Sequence, residues 1–290
     1  MHRARSRTFA VATAVLAASL GLGACSGTQP TGHQAAQPLP GPPVPDTRPD
    51  AAPVLNQVLD RINRASSVRS QVQGDLGMAG ELRSDGTVSY RSERADVGLN
   101  GSTRMQDGKE QPLQVAVVGE DGYLRSPLLR PAPDKPWVRI TPGGTDFASR
   151  LFSPALDQLR EASDPRTAFA GVEPATKIQS RSEEQLDGQP VTHYDLRVVT
   201  ERAAAKARDP HQRERLARAA GKSPEQDYQL WVDRSGLPVR FSASKSVPQA
   251  GQVSLTSRYR DWGAPADIRP PQPDQIGTFD HPAQAAQPPG

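Results

Sequence analysis

Residues 228–243 read YQLWVDRSGLPVRFSA, and this stretch decides the fold class of the chain. On both sides of the Ser235-Gly236 pair, apolar side chains alternate with polar ones. The alternating apolar positions are Tyr228, Leu230, Val232, Leu237, Val239, Phe241 and Ala243. Because successive side chains of a β-strand point to opposite faces of a sheet, this period of two predicts two strands, each with one apolar face. Serine and glycine favour a tight turn, so the stretch is predicted to be an antiparallel hairpin.

The same alternation recurs along most of the chain from residue 68 to residue 259. Its apolar positions include Val68, Val72, Leu76, Met78, Leu113, Val115, Val117, Tyr194, Leu196, Val198, Val253, Leu255 and Tyr259. Four Asp-Gly pairs, at positions 85–86, 107–108, 121–122 and 187–188, are predicted to be hairpin turns, since both residue types tolerate the positive φ of such turns. Together these segments predict one large antiparallel sheet.

Helices are predicted before the sheet and at places within it. Apolar residues from Val54 to Ala65 recur at helical spacing. Ser153-Pro154 and Asp164-Pro165 are each predicted to begin a helix, because serine or aspartate caps a helix N-terminus and proline fits the first turn. A further helix is predicted from about residue 201 to residue 221. Helices set among a broad antiparallel sheet give an α+β fold class.

The N-terminus is typical of a bacterial secretory signal peptide. Arginines at positions 3, 5 and 7 precede an alanine-rich apolar run that is too short to span a bilayer, so residues 1–24 are predicted to be removed. Cys25, the single cysteine, follows Leu22-Gly23-Ala24 in a sequence that resembles the bacterial lipobox. We therefore predict a lipid on the Cys25 sulfur and a location on the outer face of the cell membrane. The alternative is a free thiol at the end of an ordinary signal peptide.

Proline-rich segments flank the predicted domain. Residues 25–50 and 269–290 hold nearly half of the 29 prolines and are predicted to be an extended tether and a disordered tail. The domain between them, residues 51–268, is long enough to bury a core. Removal of the three signal-peptide arginines leaves 32 basic and 32 acidic residues. A neutral mature chain gives no reason to expect nucleic acid as a partner.

The sequence carries no catalytic or metal-binding motif. There is no Gly-x-Ser-x-Gly nucleophile elbow, and the histidines are too far apart to match a known zinc spacing. The histidines after the signal peptide are His33, His193, His211 and His281. All four are predicted to be surface residues, with His193 on the polar face of a strand. We therefore predict that the chain is not an enzyme and binds no cofactor.

The segment from Arg202 to Lys222 holds more basic than acidic residues. Such a segment can dock on an anionic membrane surface, where each cation contributes about 1 kcal/mol. The alternative is an ordinary solvated helix face, which is the more common reason for a run of charges.

A sheet of this width becomes concave as it twists, and its alternating apolar residues then face the helices. If the helices cover that face incompletely, these residues line a cavity, and if the cover is complete they form an ordinary core. Composition does not decide between the two alternatives. The positions predicted from strand alternation to line such a cavity are Val72, Leu76, Met78, Leu113, Val115, Val117, Leu196, Val198, Leu230, Val239, Phe241 and Leu255.

The order of these features resembles the mycobacterial LppX/LprA/LprF/LprG lipoprotein family, which has a LolA-like fold. The resemblance is carried by the hairpin at residues 228–241, by YRDWGAP at residues 259–265, and by Asp187-Gly188 with VTHY at residues 191–194. It covers about residues 52–270. It implies a half-barrel in which a curved antiparallel sheet and the helices on its concave face enclose an apolar cavity for an acylated lipid or glycolipid.

Two functions remain as alternatives. The first is a membrane-anchored lipoprotein that binds or carries acylated lipids in the cell envelope. The second is a sensory or scaffold lipoprotein that binds an envelope protein, because the regulator RseB also resembles LolA in fold. An open cavity favours the first function, and a solid core favours the second.

Overall fold

The computed structural model describes residues 47–279 apart from short gaps. The gaps are residues 78–79, 91–93, 106, 130, 208–212, 215, 218–219, 222–223 and 248–250. The predicted signal peptide, the lipidation site Cys25, nearly all of the predicted tether and the last eleven residues of the tail therefore lie outside the described residues, as do His33, His211, His281 and Met78.

Twelve strands, four α-helices and three short 3₁₀-helices have defined bounds in the described part of the chain. The strands are β1 (Ser67–Asp75), β2 (Glu81–Ser89), β3 (Asp96–Arg104), β4 (Glu110–Val118), β5 (Asp121–Arg125), β6 (Trp137–Ile140), β7 (Thr176–Leu186), β8 (Gln189–Val199), β9 (Glu225–Asp233), β10 (Pro238–Val247), β11 (Gly251–Arg260) and β12 (Ile276–Gly277). The helices are α1 (Ala52–Ala65), α2 (Phe147–Ser163), α3 (Pro165–Phe169) and α4 (Thr200–Lys206).

The strands form one open sheet in the order β12-β6-β5-β4-β3-β2-β1-β11-β10-β9-β8-β7. Every neighbouring pair is antiparallel except β12 and β6, which are parallel. The hairpin predicted at residues 228–243 is β9 and β10, with Leu230 paired with Phe241. In its turn, the Asp233 carboxylate accepts hydrogen bonds from the amides of Ser235 and Leu237, at 2.8 and 3.0 Å. The predicted α+β fold class with a large antiparallel sheet is confirmed.

The helices lie on one face of the sheet, and the sheet curves around α2. Helix α2 contacts β6 near one edge and also β10 and β11 in the other half of the sheet. In a flat sheet, β6 and β10 would lie roughly 34 Å apart, since neighbouring strands are about 4.8 Å apart. A helix of 17 residues is only about 25 Å long, so both contacts require a concave sheet.

Half of the concave face is filled by a packed core. Phe169 of α3 is fully buried, and its ring meets those of Tyr228 and Phe241 edge-on at centroid distances of 5.2 and 5.7 Å. Helix α1 adds its buried apolar side, which includes Leu55 and Ile62. This part of the sheet is therefore closed by aromatic and aliphatic side chains.

A buried ion pair lies where α2 meets α3. The Asp164 carboxylate caps α3 by accepting from the Arg166 amide at 3.0 Å, and it accepts from the Arg166 guanidinium at 3.0 Å. The two side chains are 1% and 10% exposed. The same guanidinium donates to Asn63 Oδ1 of α1 at 2.9 Å and lies 4.7 Å from the centroid of the Tyr90 ring. The pair therefore connects three helices and the end of β2.

Two of the predicted glycine turns are wrong. Gly86 lies in the middle of β2 and Gly122 lies within β5, while the turns at residues 107–108, 187–188 and 235–236 are confirmed. A Cβ atom on Gly86 would lie 1.9 Å from the carbonyl oxygen of Gly98, and one on Gly122 would lie 2.4 Å from Leu156. Both glycines therefore permit close packing rather than a reversal of the chain.

The predicted start of a helix at Ser153-Pro154 is also wrong, because α2 begins six residues earlier, at Phe147. Asp146 is its N-cap, and its carboxylate accepts from the Ser149 amide at 2.8 Å. Pro154 lies inside the helix. Proline has no amide hydrogen, so the helix lacks the usual hydrogen bond to the carbonyl of Arg150 at this point.

We expect Asp146→Ala to lower the free energy of unfolding by about 1 kcal/mol, the usual effect of losing an N-cap. Hydrogen bonding to Ser149 lowers the pKa of the Asp146 carboxyl. A lowered pKa means that this contribution is present above the ordinary aspartate pKa and is lost as the pH falls through the lowered value. Urea unfolding at neutral pH and at about pH 3 measures both effects. Asp146→Asn, which keeps a capping oxygen, is the control, and equal losses in both variants at neutral pH would contradict the assignment.

The domain extends past the boundary predicted at residue 268. Residues Ile276 and Gly277 form β12, which pairs with β6, and Phe279 is 4% exposed with its ring 5.8 Å from that of Phe147. Ile276, Gly277 and Phe279 of the predicted disordered tail are thus packed against the sheet and α2. The proline-rich composition predicts disorder in this segment. The pairing of β12 with the edge strand β6 and the burial of Phe279 explain why these residues pack against the domain instead.

Candidate ligand cavity

The half of the concave face that the core does not fill holds a cavity of about 420 Å³. It lies between residues 150–159 of α2 and the part of the sheet formed by β1 to β5. The volume falls within the range of small-molecule binding pockets, roughly 300–1,000 Å³.

The walls of the cavity are almost entirely aliphatic. The sheet contributes Leu76, Leu82, Leu113, Val115 and Leu124, and the short helical turn after β5 contributes Leu128 and Leu129. The opposite wall comes from α2, as Leu151, Phe152, Pro154, Ala155, Leu156 and Leu159. Such a surface offers van der Waals contact and no directional polar recognition along its length.

The mouth of the cavity is marked by exposed leucines. Leu128 is 37% exposed and Leu151 is 46% exposed, and they are the two large hydrophobic side chains that stand out as exposed among the described residues. Both line the cavity. Apolar side chains that cluster at an opening in this way are typical of a site that binds an apolar ligand.

Few polar groups reach the cavity. Thr103 and Ser126 line its wall, and the Ser126 hydroxyl already accepts from the Leu128 amide at 3.4 Å. Arg150 is the one ionisable residue among the described residues of the lining. Within the described part of the chain, its guanidinium makes no hydrogen bond or ion pair. The site therefore combines an apolar interior with a single cationic group.

Three of the residues predicted to line a cavity do so, namely Leu76, Leu113 and Val115. Val117 borders a much smaller hollow beside the C-terminal half of α2, and Val239 is half-buried at a bulge of β10. The predicted residues that instead lie in the packed core are Val72, Leu196, Val198, Leu230, Phe241 and Leu255. Period-two alternation does not show which half of the concave face the helices leave open, and the bulge in β10 interrupts it at Val239.

The helical wall of the cavity was not predicted from the sequence. Leu151, Phe152 and Leu159 line the cavity at helical spacing, but the helix was predicted to begin too late to include the first two. Leu82 and Leu124, on the sheet side, were also missed. The signal was present in the sequence, since Phe152, Leu156 and Leu159 stand at i, i+4 and i+7, which is the helical period.

A group of interacting side chains that includes His193 and Glu184 lies on the other face of the sheet. His193 stacks on Trp231 at 4.1 Å, and its Nδ1 is 2.8 Å from Glu184 Oε1. Hydrogen bonds from Trp231, His193 and Ser182 lower the pKa of the Glu184 carboxyl. His193 lies on the polar face, as predicted, but its side chain is only 13% exposed, so it is not an open surface histidine. These contacts are typical of side chains that pack against one another on the outer face of a sheet.

The described residues hold neither a metal-binding cluster nor a membrane-spanning helix. No group of three or more His, Cys, Asp or Glu side chains in that part of the chain is arranged to hold a metal ion. None of the helices described there has the length and hydrophobicity to cross a membrane.

Comparison with known proteins gave only weak likenesses. No protein-family model matches the chain, and no curated protein matches it. Among solved structures, MucB is 16% identical, with a TM-score of 0.31 over 75% of this chain and 60% of MucB. The structure of MucB in complex with MucA(peri) is 15% identical, with a TM-score of 0.22 over 72% of this chain and 54% of that one.

A third likeness is to the LolA superfamily protein NE2245 from Nitrosomonas europaea. It is 13% identical, with a TM-score of 0.26 over 73% of this chain and 94% of that chain. This chain spans less than two thirds of the MucB chain. TM-scores this low do not establish a shared fold. The fold and the cavity are therefore inferred from this chain's own strands and helices.

Proposed function

We propose that this chain is a lipoprotein of the bacterial cell envelope that binds or carries acylated lipids or glycolipids in the cavity between α2 and β1–β5. The observation that carries the proposal is the aliphatic cavity of about 420 Å³ with Leu128 and Leu151 exposed at its mouth. The proposed role is binding, because the lining offers an apolar chain van der Waals contact along its length.

The energetics of the cavity suit an acyl chain. Burial of each methylene group contributes about 0.8 kcal/mol. If a methylene occupies about the same space as a water molecule, roughly 30 Å³, the cavity accommodates on the order of 14 methylenes. One chain of that length supplies enough apolar burial to offset the loss of freedom on binding, about 4–15 kcal/mol, in part or in full.

The anchor belongs to the same proposal. Cys25 carries the lipid that holds the protein on the outer face of the cell membrane, and the proline-rich residues 25–50 space the domain from the bilayer. Such a tether keeps the domain near the membrane, where a protein that takes up a membrane lipid acts. The LolA-like resemblance of the sequence is consistent with such a carrier.

We expect the full-length protein, produced in a bacterial host that processes lipoboxes, to co-purify with an acylated lipid. Native mass spectrometry followed by organic extraction measures this directly. A released mass in the range of a mono-, di- or triacyl lipid supports the carrier. Cys25→Ala is the control for the anchor, because it loses the covalent acyl mass and keeps the cavity.

The opposite result is equally informative. If the protein has a clean apo mass, even after incubation with total envelope lipid, the carrier function is wrong. The alternative of a sensory or scaffold lipoprotein that binds a protein partner then takes its place.

A further inference from the structure

We propose that the ligand of the cavity is an anionic amphiphile, and that Arg150 binds its charged group at the mouth while one acyl chain fills the interior. This inference rests on the proposed function of lipid binding and specifies the class of lipid. The shared chemistry is a phosphate or carboxylate attached close to a long acyl chain.

The position of Arg150 places a cation where a head group would lie. It precedes Leu151, the most exposed of the lining leucines, and is itself exposed on the first turn of α2. The rest of the described lining holds no ionisable residue. A charged ligand group cannot be buried among leucines without a large desolvation cost, so it stays at the mouth beside Arg150.

Helix stability does not explain an arginine at this position. The N-terminal turn of a helix carries a partial positive charge, which disfavours a cation there and favours an anion. Asp146, the N-cap, offsets part of that charge, but its carboxylate is engaged by the Ser149 amide and does not pair with Arg150. An anionic ligand at the mouth would interact favourably with both the helix N-terminus and the guanidinium.

The alternative explanation is that Arg150 is one of many solvated surface cations. Most of the arginines described in detail pair with a carboxylate, as Arg139 does with Asp121 at 2.6 Å and Arg197 with Asp227 at 2.6 Å. Arg150 has no such partner among the described residues, although it borders the cavity. The combination of an unpaired cation and an apolar opening is what favours the anionic amphiphile.

The test compares three soluble probes that share a palmitoyl chain, added below their critical micelle concentrations to the full-length protein. They are lysophosphatidylglycerol with a phosphodiester, palmitate with a carboxylate, and neutral monopalmitoylglycerol. Displacement of a fluorescent fatty-chain probe reports each affinity. We expect at least one anionic probe to bind about fivefold more tightly than the neutral one, as for a partly exposed ion pair. Whichever anionic probe shows the preference identifies phosphate or carboxylate as the head group.

Arg150→Gln should abolish this preference, measured as the ratio of the affinities for the anionic and the neutral probes. Arg234→Gln removes the same charge from the β9–β10 turn, outside the cavity, and should retain the preference. If the wild type binds all three probes equally, or if Arg150→Gln keeps the preference, the inference is wrong while lipid binding stands. If the wild type binds none of them, both the inference and the proposed function are overturned.

Discussion

Replacement of Arg166 by leucine is expected to lower the free energy of unfolding by about 3–5 kcal/mol. The substitution leaves the Asp164 carboxylate, which is 1% exposed, without its ionic partner. Removal of one member of a buried ion pair has about this effect because it leaves an uncompensated buried charge. The change also removes the hydrogen bond to Asn63 and the contact with the Tyr90 ring, so α1 loses a connection to the α2–α3 junction.

Thermal unfolding followed by circular dichroism measures the loss. For a domain of this size, each kcal/mol shifts Tm by roughly 2–4 °C, so a decrease on the order of 10 °C is expected. A decrease of only one or two degrees would contradict the view that this pair is a buried electrostatic link.

The loss should depend on pH in a defined direction. Burial raises the pKa of the Asp164 carboxyl, and Arg166 counteracts part of that increase. Without the arginine the pKa rises further, so the fold favours the protonated acid. A raised pKa means that stability is present below the ordinary aspartate pKa and is lost as the pH rises through the raised value. The difference in Tm between wild type and Arg166→Leu should therefore shrink as the buffer is made more acidic.

A double variant separates charge from packing. Asp164→Asn keeps an oxygen to cap α3 but carries no charge, so Asp164→Asn combined with Arg166→Leu should be more stable than Arg166→Leu alone. If the double variant is the less stable of the two, lost packing rather than an unpaired carboxylate explains the effect.

The sheet could be predicted from the sequence because its signal is local. Alternation over residues 228–243 depends only on which face of the strand each side chain takes, and β9 and β10 follow it. Turns were less predictable, because a glycine is required for two different physical reasons. Gly188 has a positive φ in a turn, whereas Gly86 lies in a strand where the backbone of Gly98 leaves no room for a Cβ. Only the tertiary contact distinguishes the two.

The cavity lies where the helices leave the concave face of the sheet uncovered. The local alternation of residues in a strand does not show which part of the face a helix will cover. Leu76 and Leu230 have the same alternation in sequence, yet one lines the cavity and the other is fully buried in the core. The difference comes from the helices. Phe169 of α3 packs against Phe241, whereas the space between Leu113 and the α2 wall, which includes Phe152, is left open as the cavity. Prediction of the cavity therefore required the position of α2, and α2 was predicted to begin too late.

Ala155→Trp is expected to lower the affinity for acylated lipid by roughly two orders of magnitude or more. Ala155 is half-buried and lines the cavity from α2, so an indole ring at this position occupies space that the ligand would use. Displacement of only about four methylenes, at about 0.8 kcal/mol each, is enough for a change of that size. Lipid occupancy in native mass spectrometry and displacement of a fluorescent fatty-chain probe are two independent readouts.

The fold should tolerate this tryptophan, because the ring enters an existing cavity rather than a packed core. We expect a Tm within a few degrees of that of the wild type. Asn56→Trp is the matched control, since it adds the same ring to an exposed position of α1 and should leave lipid binding unchanged. If Ala155→Trp folds normally and retains full lipid occupancy, the ligand lies elsewhere on the protein and the cavity beneath α2 is not its site.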